Sequence, residues 1–277
     1  MIRQGLELLA GFSRSLFLDE ARCPGCGLVV PAVAGLDRSL CPDCCLALNP
    51  PAGAACPGCG QQSGLSSDLS SGLASDLASD LASDPASGLP PEFPQQPALC
   101  RACQDAPRPW GRLVAFGPYE GRLRDLILGY KFEGRLGLGR QLQECLASAF
   151  ERSAALFPEL LACELLVPVP LHPRRLSWRG FNQSRELARL LARRRGLPIR
   201  QEALKRVRRT VPQMELDRAK RAENIRGAFA ASAEILAGRT ALLLDDIMTT
   251  GSTLEECSRM MRAAGAAQVH VLVLARA

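Results

Sequence analysis

Apolar positions in the second half of the chain fall into two alternating rhythms. Arg112 to Tyr119 reads as a strand running into a turn. Gly121 to Lys131 then places Leu123, Leu126, Ile127 and Tyr130 at helical spacing, and a second helix is expected from about Leu138 to Phe150. Leu165 to Pro170 is a short apolar run entering a loop, followed by a helix over Gln183 to Arg195 that turns Leu187, Leu190 and Leu191 inward. Ala241 to Leu244 is too short for an amphipathic helix and suits a strand buried on both faces, and Val269 to Leu274 is the last strand. Strand alternating with helix predicts an α/β fold with an open parallel sheet flanked by helices. Ligands of such sheets bind beyond the carboxyl ends of the strands.

The first half follows another rule. Eight of the twelve cysteines form four Cys-x-x-Cys pairs, Cys23/Cys26, Cys41/Cys44, Cys56/Cys59 and Cys100/Cys103. Pro or Gly in or beside three of them gives the tight turns that aim two thiolates at one tetrahedral Zn²⁺. Four pairs make two Cys₄ sites of structural zinc. Spacing leaves open whether the pairs combine in order or interleave, with the in-order pairing closing the shorter loops; Cys45 is a spare beside Cys44. Cys145, Cys163 and Cys257 stand alone and read as small buried hydrophobes. Residues 61–99 turn into Leu-Ala-Ser-Asp repeats and a Pro- and Gln-rich run, a low-complexity insertion expected to be disordered. Residues 1–20 mix Arg3, Glu7 and Arg14 with Ile2, Leu6, Leu9 and Phe17, the pattern of a short amphipathic helix rather than a signal peptide. The expected domains are therefore that helix, a small amino-terminal zinc module at 21–106 containing the insertion, and an α/β domain at 110–277.

Composition changes the picture in two places. No run of some eighteen apolar residues is present, so no membrane span is expected, and the chain reads as cytoplasmic. The net charge of +6 is unevenly spread, since residues 172–226 hold seventeen Arg or Lys against five Asp or Glu, an excess of twelve. Such a field suits a diphosphate-bearing substrate and equally a nucleic-acid backbone. Arg outnumbers Lys thirty-one to three throughout, so arginine identity means less than arginine position.

The segment 240–253, Thr-Ala-Leu-Leu-Leu-Asp-Asp-Ile-Met-Thr-Thr-Gly-Ser-Thr, carries the most chemistry. Gly251 permits a tight turn, and Ser252 onward looks like the capped first turn of a helix. Backbone N–H groups and hydroxyls of Thr249, Thr250, Gly251, Ser252 and Thr253 can then converge on one phosphate. Asp245 and Asp246, at the strand's carboxyl end, can hold ribose hydroxyls or a hydrated Mg²⁺. No Gly-Lys-Ser/Thr follows, so this is not a Walker loop.

These fourteen positions resemble the phosphoribosyl-diphosphate loop of type I phosphoribosyltransferases. Taken with Val167-Pro-Val-Pro-Leu-His-Pro-Arg-Arg, the segment from Arg208 to Gln213, Arg221, Asn224 and Gly227-Ala228-Phe229, the chain closely resembles the ComF family. Members of that family pair an amino-terminal zinc module with a phosphoribosyltransferase-like domain and are associated with DNA uptake during competence. The resemblance implies that His172, Arg174 and Arg175 lie in a pyrophosphate-binding loop, although His172 itself also suits a packing role in that loop. It implies that Arg208, Thr210 and Gln213 lie in a mobile loop that closes over the site, and that Asp245 and Asp246 are the catalytic acids. Lys131 matches a Lys-aromatic segment of the family, but its position reads more readily as a surface lysine than as a substrate contact. Purine-salvage relatives carry an acid where this chain has Thr249, which argues against hypoxanthine or guanine as acceptor. The expectation is a phosphoribosyltransferase of the glycosyltransferase class binding phosphoribosyl diphosphate with Mg²⁺. The alternatives are a non-catalytic sensor of that ligand, a single-stranded-DNA-binding competence protein, or a zinc module that docks a protein partner.

Overall fold

A computed structural model describes residues 22–29, 40–48, 55–61, 97–208 and 223–277. The expected helix at 1–20, most of the 61–99 insertion, Thr210, Gln213 and Arg221 lie outside them. The chain forms two compact units, one from residues 1–49 with 120–141, the other from 50–119 with 142–277.

The first unit is organised by cysteines. Cys23 to Leu28 closes a tight knuckle through Gly27 N–H to Cys23 O (2.8 Å) and Cys23 N–H to Leu28 O (2.8 Å). Helix α1 (Pro42–Ala47) begins at Cys41, whose sulfur accepts from Cys44 N–H. After α2 (Arg101–Asp105) and β1 (Leu113–Pro118) of the other unit, the chain returns to the first as α3 (Gly121–Phe132). There Arg122 and Arg135 donate to the knuckle carbonyls of Gly25 (3.4 Å) and Pro24 (2.5 Å). The α3 face buried at Leu123, Leu126, Ile127 and Tyr130 is the one its spacing predicts, and Lys131 falls in its last turn.

The second unit holds the sheet. Its strands are β1, β2 (Leu165–Pro168), β5 (Thr240–Met248) and β6 (Gln268–Arg276), all parallel, in the order β1-β6-β5-β2. β2 is buried throughout and β6 from Val269 to Ala275, which is why neither shows alternation in sequence. A long helix, α4 (Gly139–Leu156), precedes β2. Between β2 and β5 come α5 (Pro173–Arg179), α6 (Gln183–Arg195), the antiparallel pair β3 (Leu204–Arg206) and β4 (Phe229–Ala231), and a short α7 (Ala233–Leu236). Helix α6 packs on β5 and β2, and α8 (Ser252–Ala263) packs on β4, β5 and β6.

The core lies where these layers meet, at Val167, Leu243, Met248, Leu254, Cys257 and Val271 among others. Cys145, Cys163 and Cys257 are buried, and burial pushes the Cys163 thiol up to about 12, so it stays protonated as a small apolar group. Two expectations need adjusting. The strand expected over Ala241 to Leu244 extends as β5 to Met248, so that Asp245 and Asp246 lie in its carboxyl-terminal half. The Pro-rich segment after Val169 does not stay extended but forms α5, because Pro173 is tolerated at a helix's first position and His172 caps it. No helix among the described residues is long and apolar enough to cross a membrane.

Candidate functional site

The carboxyl end of β5 turns directly into the amino end of α8. Gly251 makes this possible, with φ of 85°, a left-handed conformation costly to any residue bearing a Cβ. A Cβ there would also sit 2.7 Å from Met248 Cε. Beneath the turn, Thr250 Oγ1 and Ser252 Oγ are 3.0 Å apart, and Ser252 N–H points at Thr250 Oγ1 (3.4 Å). Thr249 is exposed, while Ser252 is buried at the first position of α8. Residues 249–253 thus form a compact hydroxyl-rich turn at a helix amino terminus, the electropositive end of its dipole.

Asp245 and Asp246 precede the turn. Asp245 Oδ1 accepts from Ser184 Oγ (3.0 Å) and from Asp246 N–H (2.9 Å), and Asp246 Oδ1 accepts from Ile247 N–H (2.7 Å). Ser184 sits in the first turn of α6, whose cap Asn182 accepts from Arg185 N–H (3.4 Å) and donates to Val169 O (3.1 Å). Asn182 therefore ties the end of β2 to the helix that orients Asp245.

Arginines face these acids. Burial lowers the Arg179 pKa, with Asp246 opposing and Arg175 adding to the shift. Burial likewise lowers Arg206, with Arg175 and Arg208 adding, and Cys257 and Asp245 opposing. Guanidiniums that depress one another beside two carboxylates mark a basin of positive potential suited to a polyanion. Arg174 and Arg175 are exposed on α5, and His172 Nδ1 accepts from Arg174 N–H (3.3 Å), so the imidazole serves as a helix cap here. Arg208 donates to the carbonyls of Asn224 (2.8 Å) and Arg226 (2.7 Å), joining the two ends of the 209–222 segment. Glu256, 4% exposed, accepts from Gly227 N–H (2.7 Å) and pairs with Arg259, fixing the far end of that segment to α8. A separate cavity of about 600 Å³ lies beside β1, lined by Phe116, Arg152, Phe157 and Arg276, and contains none of these residues.

Sequence reasoning missed Ser184, Arg206 and Glu256. Arg206 lies in a three-residue strand too short to show any period, and Ser184 looks like any residue after a helix cap. The arginines of α6 are less informative. Arg185 and Arg189 pair with Glu186, and Arg194 pairs with Glu144 and Glu151, as on an ordinary solvated face.

The cysteines gather in two groups, Cys23, Cys26, Cys41, Cys44 and Cys56, Cys59, Cys100, Cys103, each with its four sulfurs within 4.8 Å of one another. The in-order pairing is the one that forms, and Cys45 stays outside, exposed. Four sulfurs about 2.3 Å from a tetrahedral Zn²⁺ are about 3.8 Å apart. Cys26 and Cys41 Sγ are separated by 3.6 Å, Cys59 and Cys100 Sγ by 3.7 Å. Backbone N–H groups of Cys41 and Cys100 donate to Cys23 Sγ (3.2 Å) and Cys56 Sγ (3.3 Å). Burial raises these two thiols, yet their backbone donors outweigh it and bring Cys23 to about 6 and Cys56 to about 7, whereas burial raises Cys44 and Cys103 and pushes Cys59 up to about 12, so one thiol in each group is predisposed to the thiolate. Both groups fit a structural Zn²⁺, a closed site with four protein ligands and no open position.

A parallel sheet whose central strand ends in two acids and a hydroxyl-rich helix start, joined to Cys₄ knuckles, defines a phosphoribosyltransferase-type domain with a zinc module. The phosphoribosyl transferase domain family matches residues 190–277. Competence protein F of Haemophilus influenzae is 35% identical over 64% of this chain and 78% of its own length. The DNA utilization protein YhgH of Escherichia coli K12 is 35% identical over 68% of this chain and 82% of its own. A glutamine phosphoribosylpyrophosphate amidotransferase from B. subtilis aligns with 47% of this chain and 25% of its own at 21% identity and TM-score 0.32, too slight a likeness to carry an argument. The chain belongs to the ComF family, with the Competence protein F and YhgH proteins.

Proposed function

We propose that the turn at 249–253 with Asp245 and Asp246 binds phosphoribosyl diphosphate together with Mg²⁺. The observation that carries this reading is the continuity of the acid pair with the α8 amino terminus. The 5-phosphate takes the N–H groups and hydroxyls of Thr249 to Thr253. Asp246 meets the ribose hydroxyls, Asp245 being held by Ser184. Arg174 and Arg175 would contact the pyrophosphate oxygens, and Asp245 and Asp246 would hold a hydrated Mg²⁺ that supplies charge neutralisation on the leaving group when bound.

Phosphoribosyl transfer breaks the anomeric C–O bond through an oxocarbenium-like state as pyrophosphate departs. The residues here position the sugar and stabilise the leaving charge, with little covalent work left to the protein. Calorimetric titration with phosphoribosyl diphosphate, with and without Mg²⁺, tests the reading. Saturable binding that requires Asp246 is expected, and a flat titration at millimolar ligand overturns it.

A second reading has its own observation. Helix α5 buries none of its residues, and Trp178 is 74% exposed between Arg174, Arg175 and Arg179. Trp178 therefore offers a stacking face for an unpaired base inside a cationic surround, in keeping with relatives named for competence and DNA utilization. Single-stranded DNA binding lost in Trp178→Ala supports it; equal binding by the variant removes it.

A further inference from the structure

The 56/59/100/103 cysteine group does more than close a loop. Three consecutive carbonyls of its knuckle accept from the sheet end of the same unit. Leu113 N–H donates to Pro57 O (2.8 Å), Trp110 Nε1 to Gly58 O (2.8 Å), and Arg276 Nε to Cys59 O (3.1 Å). Ala277 N–H in turn donates to Met248 O (2.9 Å), at the last residue of β5 before the turn. Gly60, with φ of 70°, lies so close to Leu113 that a Cβ there would stand 2.7 Å from its Cδ2.

Two side chains carry the connection onward to the proposed phosphate loop. Trp110, 7% exposed, lies with Met248 against Gly251, its Cη2 3.8 Å from where a Cβ would be. Arg108 pairs with Glu255 in the first turn of α8, both side chains largely buried at 18% and 25% exposed, and its guanidinium works against the burial that raises the Cys103 thiol. One guanidinium thus acts on both a cysteine of the group and the first turn of α8. A charge-assisted bond at partly buried positions is stronger and more sharply directed than a surface ion pair.

We propose that this cysteine group, when it holds its metal, sets the conformation of the turn at 249–253, with Arg108 and Trp110 as the positioning residues. The knuckle is rigid only while its four sulfurs share one ion, since thiols released from the metal repack and free the carbonyls at 57–59. Loss of the ion is then felt at Gly251 through Trp110 and at Glu255 through Arg108. Neither residue touches the ligand. The proposal rests on reading 249–253 as the phosphate loop, so its test carries a readout that does not depend on ligand.

The experiment uses the full chain, zinc-loaded as purified, with Arg108→Gln and Trp110→Phe. The first removes the charged bridge. The second deletes the bond to Gly58 together with the part of the indole that reaches toward Gly251. Zinc content, amide exchange at 249–255 and affinity for phosphoribosyl diphosphate are measured for each protein, and for wild type after graded chelation. With zinc content unchanged, both variants are expected to exchange faster at 249–255 than wild type. The dissociation constant is expected to rise on the order of tenfold, within the usual range for coupled sites. Chelated wild type should show the same changes. Unaltered exchange in both variants and after zinc loss overturns the proposal, whatever the titration shows. Faster exchange alongside a flat wild-type titration upholds the coupling and removes only the phosphate-loop reading.

Discussion

Gly251 and His270 show how single residues set the terms at this sheet. At Gly251 the left-handed φ leaves no comfortable place for a Cβ, while the Met248 methyl 2.7 Å away can swing aside. The cost of Gly251→Ala is therefore mainly backbone strain, about 1–2 kcal/mol. Urea unfolding should show that loss, and weakened phosphoribosyl diphosphate binding should accompany it because the turn must widen. His270 lies within β6, 1% exposed. Burial lowers its pKa from 6.5, with Glu159 opposing and Arg112 adding to the shift. A histidine kept neutral by folding binds fewer protons folded than unfolded. Its contribution to stability is then complete above about pH 6.5 and falls as the pH drops below that value. Comparing unfolding midpoints at pH 8 and pH 5.5 for wild type and His270→Gln checks the sign. The wild type should lose more stability on acidification than the variant does, and equal losses would count against it.

At the scale of elements, periodic segments were legible and short ones were not. α6 spans Gln183–Arg195, and of the three leucines its apolar spacing selects for the inward face, Leu187 and Leu191 are buried while Leu190 is only half-buried. β1, β2, β5 and β6 were also legible as strands, since short, mainly apolar runs between turn signals leave few alternatives. α5 was not, because Pro-rich sequence favours extended backbone and its helix depends on one cap from His172. β3 and β4, three residues each, exist only through their mutual pairing, so neither could be placed from sequence. The acid pair and the hydroxyl-rich turn were readable because their chemistry is local. Ser184, Arg206 and Glu256 reach the site through tertiary packing. Asn182 is where local and tertiary signals meet, capping α6 while bonding the end of β2. Asn182→Ala should cost about 1 kcal/mol through the cap alone. It should also loosen Ser184 on Asp245, visible as faster exchange at the first amides of α6 with β6 unchanged.

For the whole molecule, charge distribution separates a phosphate-ester site from a nucleic-acid track. The excess of twelve positive charges over 172–226 is double the chain's net +6, so the rest of the protein is net negative and repels a polyanion. A nucleic acid drawn to this chain is therefore drawn to this basic stretch, in which Arg174 and Arg175 are exposed beside Trp178. Arg194 lies within the same basic stretch but is engaged by Glu144 (2.7 Å) and Glu151 (3.3 Å). Counterion release makes the two kinds of arginine distinguishable. Each phosphate neutralised on a single strand adds about 0.7 to the slope of log affinity against log salt. In a salt series with single-stranded DNA, Arg174→Ala with Arg175→Ala should flatten the slope by about 1.4, whereas Arg194→Gln should leave it unchanged. A slope that responds equally to both would mean that the field of the whole basic stretch, rather than the α5 face, holds the strand. A slope near zero in wild type would restrict the basic stretch to its smaller polyanion, the diphosphate.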